Sequence, residues 1–98
     1  MVNKKNINSN IIRKMSEDDL TECTEIFVEA YRTLYSEPWS QDSGKSRIKE
    51  VFHDNKDFCF VADEHKELRG FIIARKDTWY DGCRIWIEEL VVKKKYRG

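Results

Sequence analysis

The sequence predicts an α+β domain in which two helices pack on an antiparallel sheet, in the order strand, helix, helix, strand, strand, strand. Three observations carry this. Residues 16–52 place apolar side chains at helical spacing, residues 58–92 form three β-branched and aromatic runs, and turn signals separate those runs. A chain of 98 residues holds one small domain with a modest core, which excludes a two-domain reading.

The charge balance narrows the function. Lysine plus arginine and aspartate plus glutamate both total 18, so the formal net charge is zero and no general attraction to nucleic acid or acidic membranes follows. Charged residues make up 37% of the chain and hydrophobic ones 40%, the balance of a soluble chain with much surface for its volume. No apolar run approaches the roughly 18 residues of a membrane span, and the N-terminus lacks the apolar core of a signal peptide. Cys23, Cys59 and Cys83 match neither a zinc spacing nor a disulfide framework. They read as three small buried hydrophobes in a reducing cytoplasm, with no metal site. His53, at a helix end, and His65, in a polar turn, read as surface residues.

Met1 to Asn10 is rich in Asn, Lys and Ser and reads as a flexible segment, leaving residues 11–98 as the domain. Ile11 to Met15 makes a short strand. Ser16 caps the first helix, with Glu17, Asp18 and Asp19 in its first turn where carboxylates favour the helix dipole. Leu20, Cys23, Ile26, Phe27, Ala30, Tyr31 and Leu34 form its buried face. Pro38 ends it. Ser40 or Asp42 caps a second helix that buries Ile48, Val51 and Phe52, although Gly44 costs it up to about 1 kcal/mol relative to alanine. Between the helices stand Tyr35, Glu37 and Trp39, with Trp39 either lining a site or folding back on the core.

Phe58 to Ala62 is a short buried strand, Asp63 to Glu67 a polar turn, and Leu68 to Lys76 the partner strand. Gly70 marks a bulge or a close backbone approach. Trp79-Tyr80-Asp81-Gly82 closes a second hairpin. The fourth strand begins at Cys83 and runs to Val92, too apolar on both faces for a solvated strand, yet it carries two adjacent acids. Burying a carboxylate costs several kcal/mol unless it is paired, so those acids need a reason.

The segment Ile87-Glu88-Glu89-Leu90-Val91-Val92-Lys93-Lys94-Lys95-Tyr96-Arg97-Gly98 resembles the fourth strand of a GNAT acetyltransferase, running into the loop that binds the acetyl-CoA pyrophosphate. In that family the loop reads Arg or Gln, two residues, Gly, one residue, Gly or Ala. Arg97 takes its first position and Gly98 the next, so the chain is read as the N-terminal half of the fold, truncated after strand four. The element order matches that half over residues 11–98.

The resemblance implies transfer of an acetyl group from acetyl-CoA, as co-substrate, to a primary amine. An amine with a pKa near 10 arrives protonated, so a carboxylate in a partly desolvated cleft must take its proton, directly or through water. Glu89 is the first candidate, eight residues before Arg97, and Glu88 the second. Alternation along a regular strand lets only one of them face a cleft, and a bulge near Leu90 relaxes that rule. Ion pairing with Arg84, Arg75 or the lysine run is the structural alternative for both. The resemblance assigns the backbone of Leu90, Val91 and Val92 to the pantetheine arm and thioester carbonyl, and Arg97 and Gly98 to the start of the pyrophosphate cradle. Lys93, Lys94 and Lys95 either meet phosphates or form a solvated face that resists aggregation.

The acceptor reads as a small cationic amine, such as an aminoglycoside or polyamine, met by Tyr35, Trp39, Trp79 and Trp86 through cation–π contact. Pro38-Trp39-Ser40 also resembles the ribosomal-protein alanine acetyltransferases, whose acceptor is a protein N-terminus. A different class of reading is a non-enzymatic module that dimerises, or binds a partner, through the open edge of strand four. In either case a homodimer through that edge is expected. Nucleic-acid binding conflicts with the zero net charge.

Overall fold

The computed structural model describes residues 11–98; the segment 1–10, read as flexible, lies outside the described residues. Four strands form one antiparallel meander, ordered as in the sequence: β1 (Ile12–Lys14), β2 (Cys59–Glu64), β3 (Glu67–Trp79) and β4 (Gly82–Val92). Helices α1 (Leu20–Tyr35) and α2 (Gln41–Asp54) intervene between β1 and β2. The expected element order holds throughout.

Local chemistry explains each boundary. Asp19 accepts a bond from the Ser16 backbone N–H at 2.8 Å and two from the Arg13 guanidinium, both at 2.8 Å. A 3-10 turn at Glu17–Asp19 thus leads into α1 while Arg13 ties β1 to it. Helix α1 ends at Tyr35, with Ser36 left-handed at φ 57° just before Glu37 and Pro38. Ser40, not Asp42, caps α2: its hydroxyl accepts the Ser43 N–H at 3.0 Å, and Ser43 answers with its own hydroxyl to the Ser40 N–H.

The β2–β3 turn is tighter than Asp63 to Glu67. Only His65 and Lys66 lie outside the strands, at φ 54° and 63°, in the mirror-image turn that suits twisted strands. Asp63 and Glu64 stay extended because each has a cation to hold, Arg13 and Arg69 respectively. The second hairpin turns at Tyr80 and Asp81, and Gly82 supplies φ 138°.

Both helices cover one face of the sheet. Phe27, Ile48, Val61, Ile73, Cys23 and Cys59 are its most buried side chains. Helix α1 buries five of the seven expected residues, from Leu20 to Ala30; past the core Tyr31 is only half-buried and Leu34 is exposed, contrary to expectation. It adds Thr24 and Val28, which turn toward α2. There Gly44 is the crossing point rather than a flaw. A Cβ at Gly44 would stand 2.6 Å from Val28 Cγ2 and 3.3 Å from Thr24 Cγ2. Gly70 is likewise a close approach, since a Cβ there would meet the Val91 carbonyl oxygen at 2.7 Å.

Two irregularities break the sheet register. Arg69 is the extra residue between the pairs Ala62–Gly70 and Asp63–Leu68. Glu88 is the extra residue between Ile73–Glu89 and Ala74–Ile87. The burial expected for both faces of β4 is not met, because the helices cover only its C-terminal end. Glu89 and Val91 are buried, while Ile85, Ile87 and Leu90 are more than half exposed. Cys83 is exposed for the same reason, contrary to the expectation for all three cysteines.

Gly44→Ala gains about 1 kcal/mol of helix propensity but must displace the stiff, buried Val28, which costs about 1–3 kcal/mol. The expected outcome in urea unfolding is net destabilisation; a stabilised variant would show that the helices do not cross as tightly as described.

Candidate active site

The bulge at Glu88 brings the two acids together. In an unbroken strand their side chains would part to opposite faces. Here one guanidinium nitrogen, Arg47 Nη2, lies 2.9 Å from Glu89 Oε2 and 3.7 Å from Glu88 Oε1. The bulge falls one residue before Glu89, two residues short of the Leu90 position expected for it.

Glu89 is only 5% exposed and has both oxygens engaged. Tyr31 donates its phenolic O–H to Oε1 at 2.7 Å, and Arg47 donates Nε–H and Nη2–H to Oε2 at 3.2 and 2.9 Å. Burial, reinforced by that carboxylate, pushes the Tyr31 phenol well above its ordinary range, so it remains a donor. Glu88 is freer. Its Oε2 accepts Arg75 Nε–H at 2.6 Å, and Arg75 also holds Asp77 at 2.6 Å. Its Oε1 has only the long ion pair with Arg47. Arg75 was a sequence candidate for pairing these acids; Arg47 and Tyr31 were not.

Beside this pair a cleft of about 440 Å³ opens between α1 and the end of β4. Tyr31, Leu34 and Tyr35 form one wall, Leu90, Val91 and Val92 the other, and Tyr96, Arg97 and Gly98 its end. Among the described residues strand β4 is an edge strand, so on this side half of its backbone N–H and C=O groups have no ladder partner there. The five residues expected to hold acetyl-CoA therefore line one cleft.

The basic run is held by carboxylates. Lys93 and Lys95 reach Glu67 at 2.8 and 3.3 Å, and Tyr96 donates its O–H to the same carboxylate at 2.7 Å. Those donors, Lys93 foremost, hold the Glu67 carboxyl down at about 2. Arg97 grips Glu29 of α1 through two bonds, at 2.9 and 3.0 Å.

The aromatic candidates do not assemble into one cage. Tyr35 lies on the cleft wall, 62% exposed. Trp39 folds back on the core, its ring 4.9 Å from Phe27 and its N–H on Glu37. Trp86 pairs across from Arg75, near the acids, with 5.9 Å between the guanidinium and its ring. Trp79 stands at the hairpin tip, six residues along β3 from Ile73 and so about 20 Å from Glu89. Burial pushes the Cys59 thiol up to about 11 and the Cys23 thiol further, which removes both as nucleophiles. Among the described residues no cluster of His, Cys, Asp and Glu could hold a metal ion, and no helix is long and apolar enough to cross a membrane.

Among the described residues an edge strand with free backbone donors thus faces α1 across the cleft, next to a carboxylate pair. The chain belongs to the acetyltransferase (GNAT) family, whose sequence model matches residues 20–98. Acetyl-CoA is the family's acyl donor. The fold is that of solved relatives. One, described as a possible acetyltransferase from Clostridium difficile 630, is 19% identical with a TM-score of 0.74, over 88% of this chain and 59% of that one. A protein of Pyrococcus horikoshii OT3 is 25% identical with a TM-score of 0.70, over 89% and 60%. A GNAT family acetyltransferase of Brucella melitensis, solved in complex with acetyl-CoA, is 18% identical with a TM-score of 0.60, over 89% and 56%. The chain thus spans about 60% of the length of the first structures it matches. No curated protein matches it.

The depressed Glu67 value has a sign. Its ion pairs stabilise the fold fully above the ordinary carboxyl value of 4.5 and are lost as pH falls through about 2. In thermal unfolding, the stability difference between wild type and Glu67→Gln should shrink as pH falls from 4.5 and vanish near 2. A difference that does not change over this range would mean that Glu67 is not ion-paired.

Proposed function

We propose that this chain carries the acetyl-CoA cleft and the proton acceptor of an N-acetyltransferase acting on a primary amine. The observation that supports it best is the bulge that sets Glu88 and Glu89 side by side on Arg47, next to Leu90 and Tyr31 of the cleft walls. The backbone of Leu90, Val91 and Val92 would hold the pantetheine arm, and Arg97 and Gly98 would begin the phosphate cradle. Acetyl-CoA supplies the activated acyl group. Unpaired N–H groups at the end of β4 are placed to polarise a carbonyl without reorganising.

The two acids divide the work. Glu89, the first candidate on sequence grounds, is engaged by Tyr31 and Arg47 and fixes the wall of the site. Glu88, with one oxygen free of hydrogen-bond donors and its side chain 27% exposed, accepts the amine proton through water. Arg47 and Arg75 offset much of the acidic charge, so the acceptor is selected less by bulk attraction than by contact at the rim. Tyr35 is the aromatic placed to meet an ammonium there. Small cationic amines and a protein N-terminus both fit that rim.

The test is acetyl transfer, read as thiol release from acetyl-CoA, with spermidine, an aminoglycoside and an alanine-led peptide as acceptors. Transfer to at least one is expected, with Glu88→Gln lowering kcat on the order of 100-fold and KM little changed. Transfer to none of them counts against the enzyme reading; an unimpaired Glu88→Gln removes Glu88 as the acceptor.

A second reading concerns assembly. The free edge of β4 adjoins a sheet face where Ile12, Ile85, Ile87 and Leu90 are each more than half exposed. As the alternative to an acetyl-CoA site on this edge, we propose that a second copy of the chain covers the edge and face. Sedimentation at micromolar concentration should show a dimer, and a strictly monomeric species would contradict it.

A further inference from the structure

We propose that Glu29 is a positioning residue for the phosphate-binding loop, acting through Arg97. The inference rests on reading the α1–β4 cleft as the acetyl-CoA site. Two ties hold the C-terminal end of the turn Lys94–Tyr96 that follows β4. On one side Tyr96 donates its O–H to Glu67 at the start of β3, at 2.7 Å. On the other, Arg97 forms a two-pronged bond with Glu29, Nη1 to Oε1 at 2.9 Å and Nη2 to Oε2 at 3.0 Å. Arg97 Nη1 also donates to the Val92 carbonyl at 3.1 Å, closing the chain back on the strand it has just left.

Glu29 is itself fixed. Thr33, one turn further along α1, donates its hydroxyl to Glu29 Oε2 at 2.9 Å. The Arg97 side chain is 21% exposed and that of Glu29 33%, so solvent only partly screens the clasp. The guanidinium charge is thus matched inside the protein before any ligand arrives. The Tyr96 and Arg97 N–H groups are bonded within the turn, to Lys93 and Lys94, so the work of the clasp is to fix where the chain leaves β4 and thereby set Gly98, at the end of the cleft, toward a phosphate in advance.

This reading gives the opposite sign from simple electrostatics. If Glu29 merely competed with phosphate for Arg97, neutralising it would tighten binding. If it positions the loop, neutralising it loosens the loop and weakens binding. The experiment compares wild type, Glu29→Gln, Arg97→Gln and the double variant by calorimetric titration with acetyl-CoA and by backbone 15N relaxation without it.

Expected for Glu29→Gln is binding weaker by about tenfold, with the order parameters of Tyr96 and Arg97 falling from about 0.85 toward 0.6 or below. In the Arg97→Gln background the same change should have no further effect on either readout. Unchanged or tighter binding by Glu29→Gln overturns the proposal, as does an equal loss in both backgrounds. If wild type binds no acetyl-CoA, the reading of the cleft fails instead. The relaxation arm then still decides the clasp: ordering lost in Glu29→Gln supports it, and ordering retained overturns it.

Discussion

The extra residue at Glu88 is the constraint on which the site depends. A strand presents alternate residues to each face, and inserting one residue resets that alternation. On the C-terminal side of the bulge, Glu89 and Val91 point into the helix-covered face while Leu90 and Val92 point away. Glu88 itself has no partner on β3 and stays on the Arg47 side. One insertion therefore produces a buried carboxylate and an accessible carboxylate beside it, while the strand end stays paired with β3 as far as Val92.

Helix α1 is the element through which the rest of the domain reaches this strand. Its sheet-facing residues fill the core, and its Thr24 and Val28 receive α2 at Gly44. Seating α2 at that crossing in turn presents Arg47 to Glu89. Along the same helix, Tyr31 meets Glu89 and Glu29 meets Arg97. A buried ion pair is weak evidence for net stability, because desolvation offsets most of the attraction. The Tyr31–Glu89–Arg47 network is better understood as fixing geometry: each Glu89 oxygen has a donor, and the aromatic wall of the cleft is locked in place.

Much of the fold was legible in the sequence because its signals are local. The α1 periodicity from Leu20 to Ala30, the Ser40 cap, the Asp-Gly hairpin and the four strand-like runs depend on neighbours within a few residues. What escaped needed partners far apart in the chain. Arg47 lies 42 residues from Glu89, Tyr31 58, and Glu29 68 from Arg97, and no spacing rule joins them. Gly44 looked like a defect because propensity counts only the helix it sits in. Cys83 and the outer part of β4 looked buried because apolar composition does not say whether another layer lies on top. The Glu88 bulge was foreseen only as a loosening of parity near Leu90. Within the site, the acids and the residues from Leu90 to Gly98 were read from sequence, while the donors that hold them were not. Of the four aromatic candidates, Tyr35 lines the cleft, whereas Trp39 took the core alternative.

The central claim is that the wall from Leu90 to Val92, together with the turn to Arg97, is the surface that receives acetyl-CoA. A titration of isotope-labelled chain with acetyl-CoA, followed by backbone amide chemical shifts, tests it residue by residue. The account predicts shifts concentrated at Leu90, Val91, Val92, Tyr96 and Arg97, with Tyr31 and Tyr35 following on the facing helix. Shifts centred instead on Ile12, Phe60 and Ile72, across the uncovered face of the sheet, would contradict it.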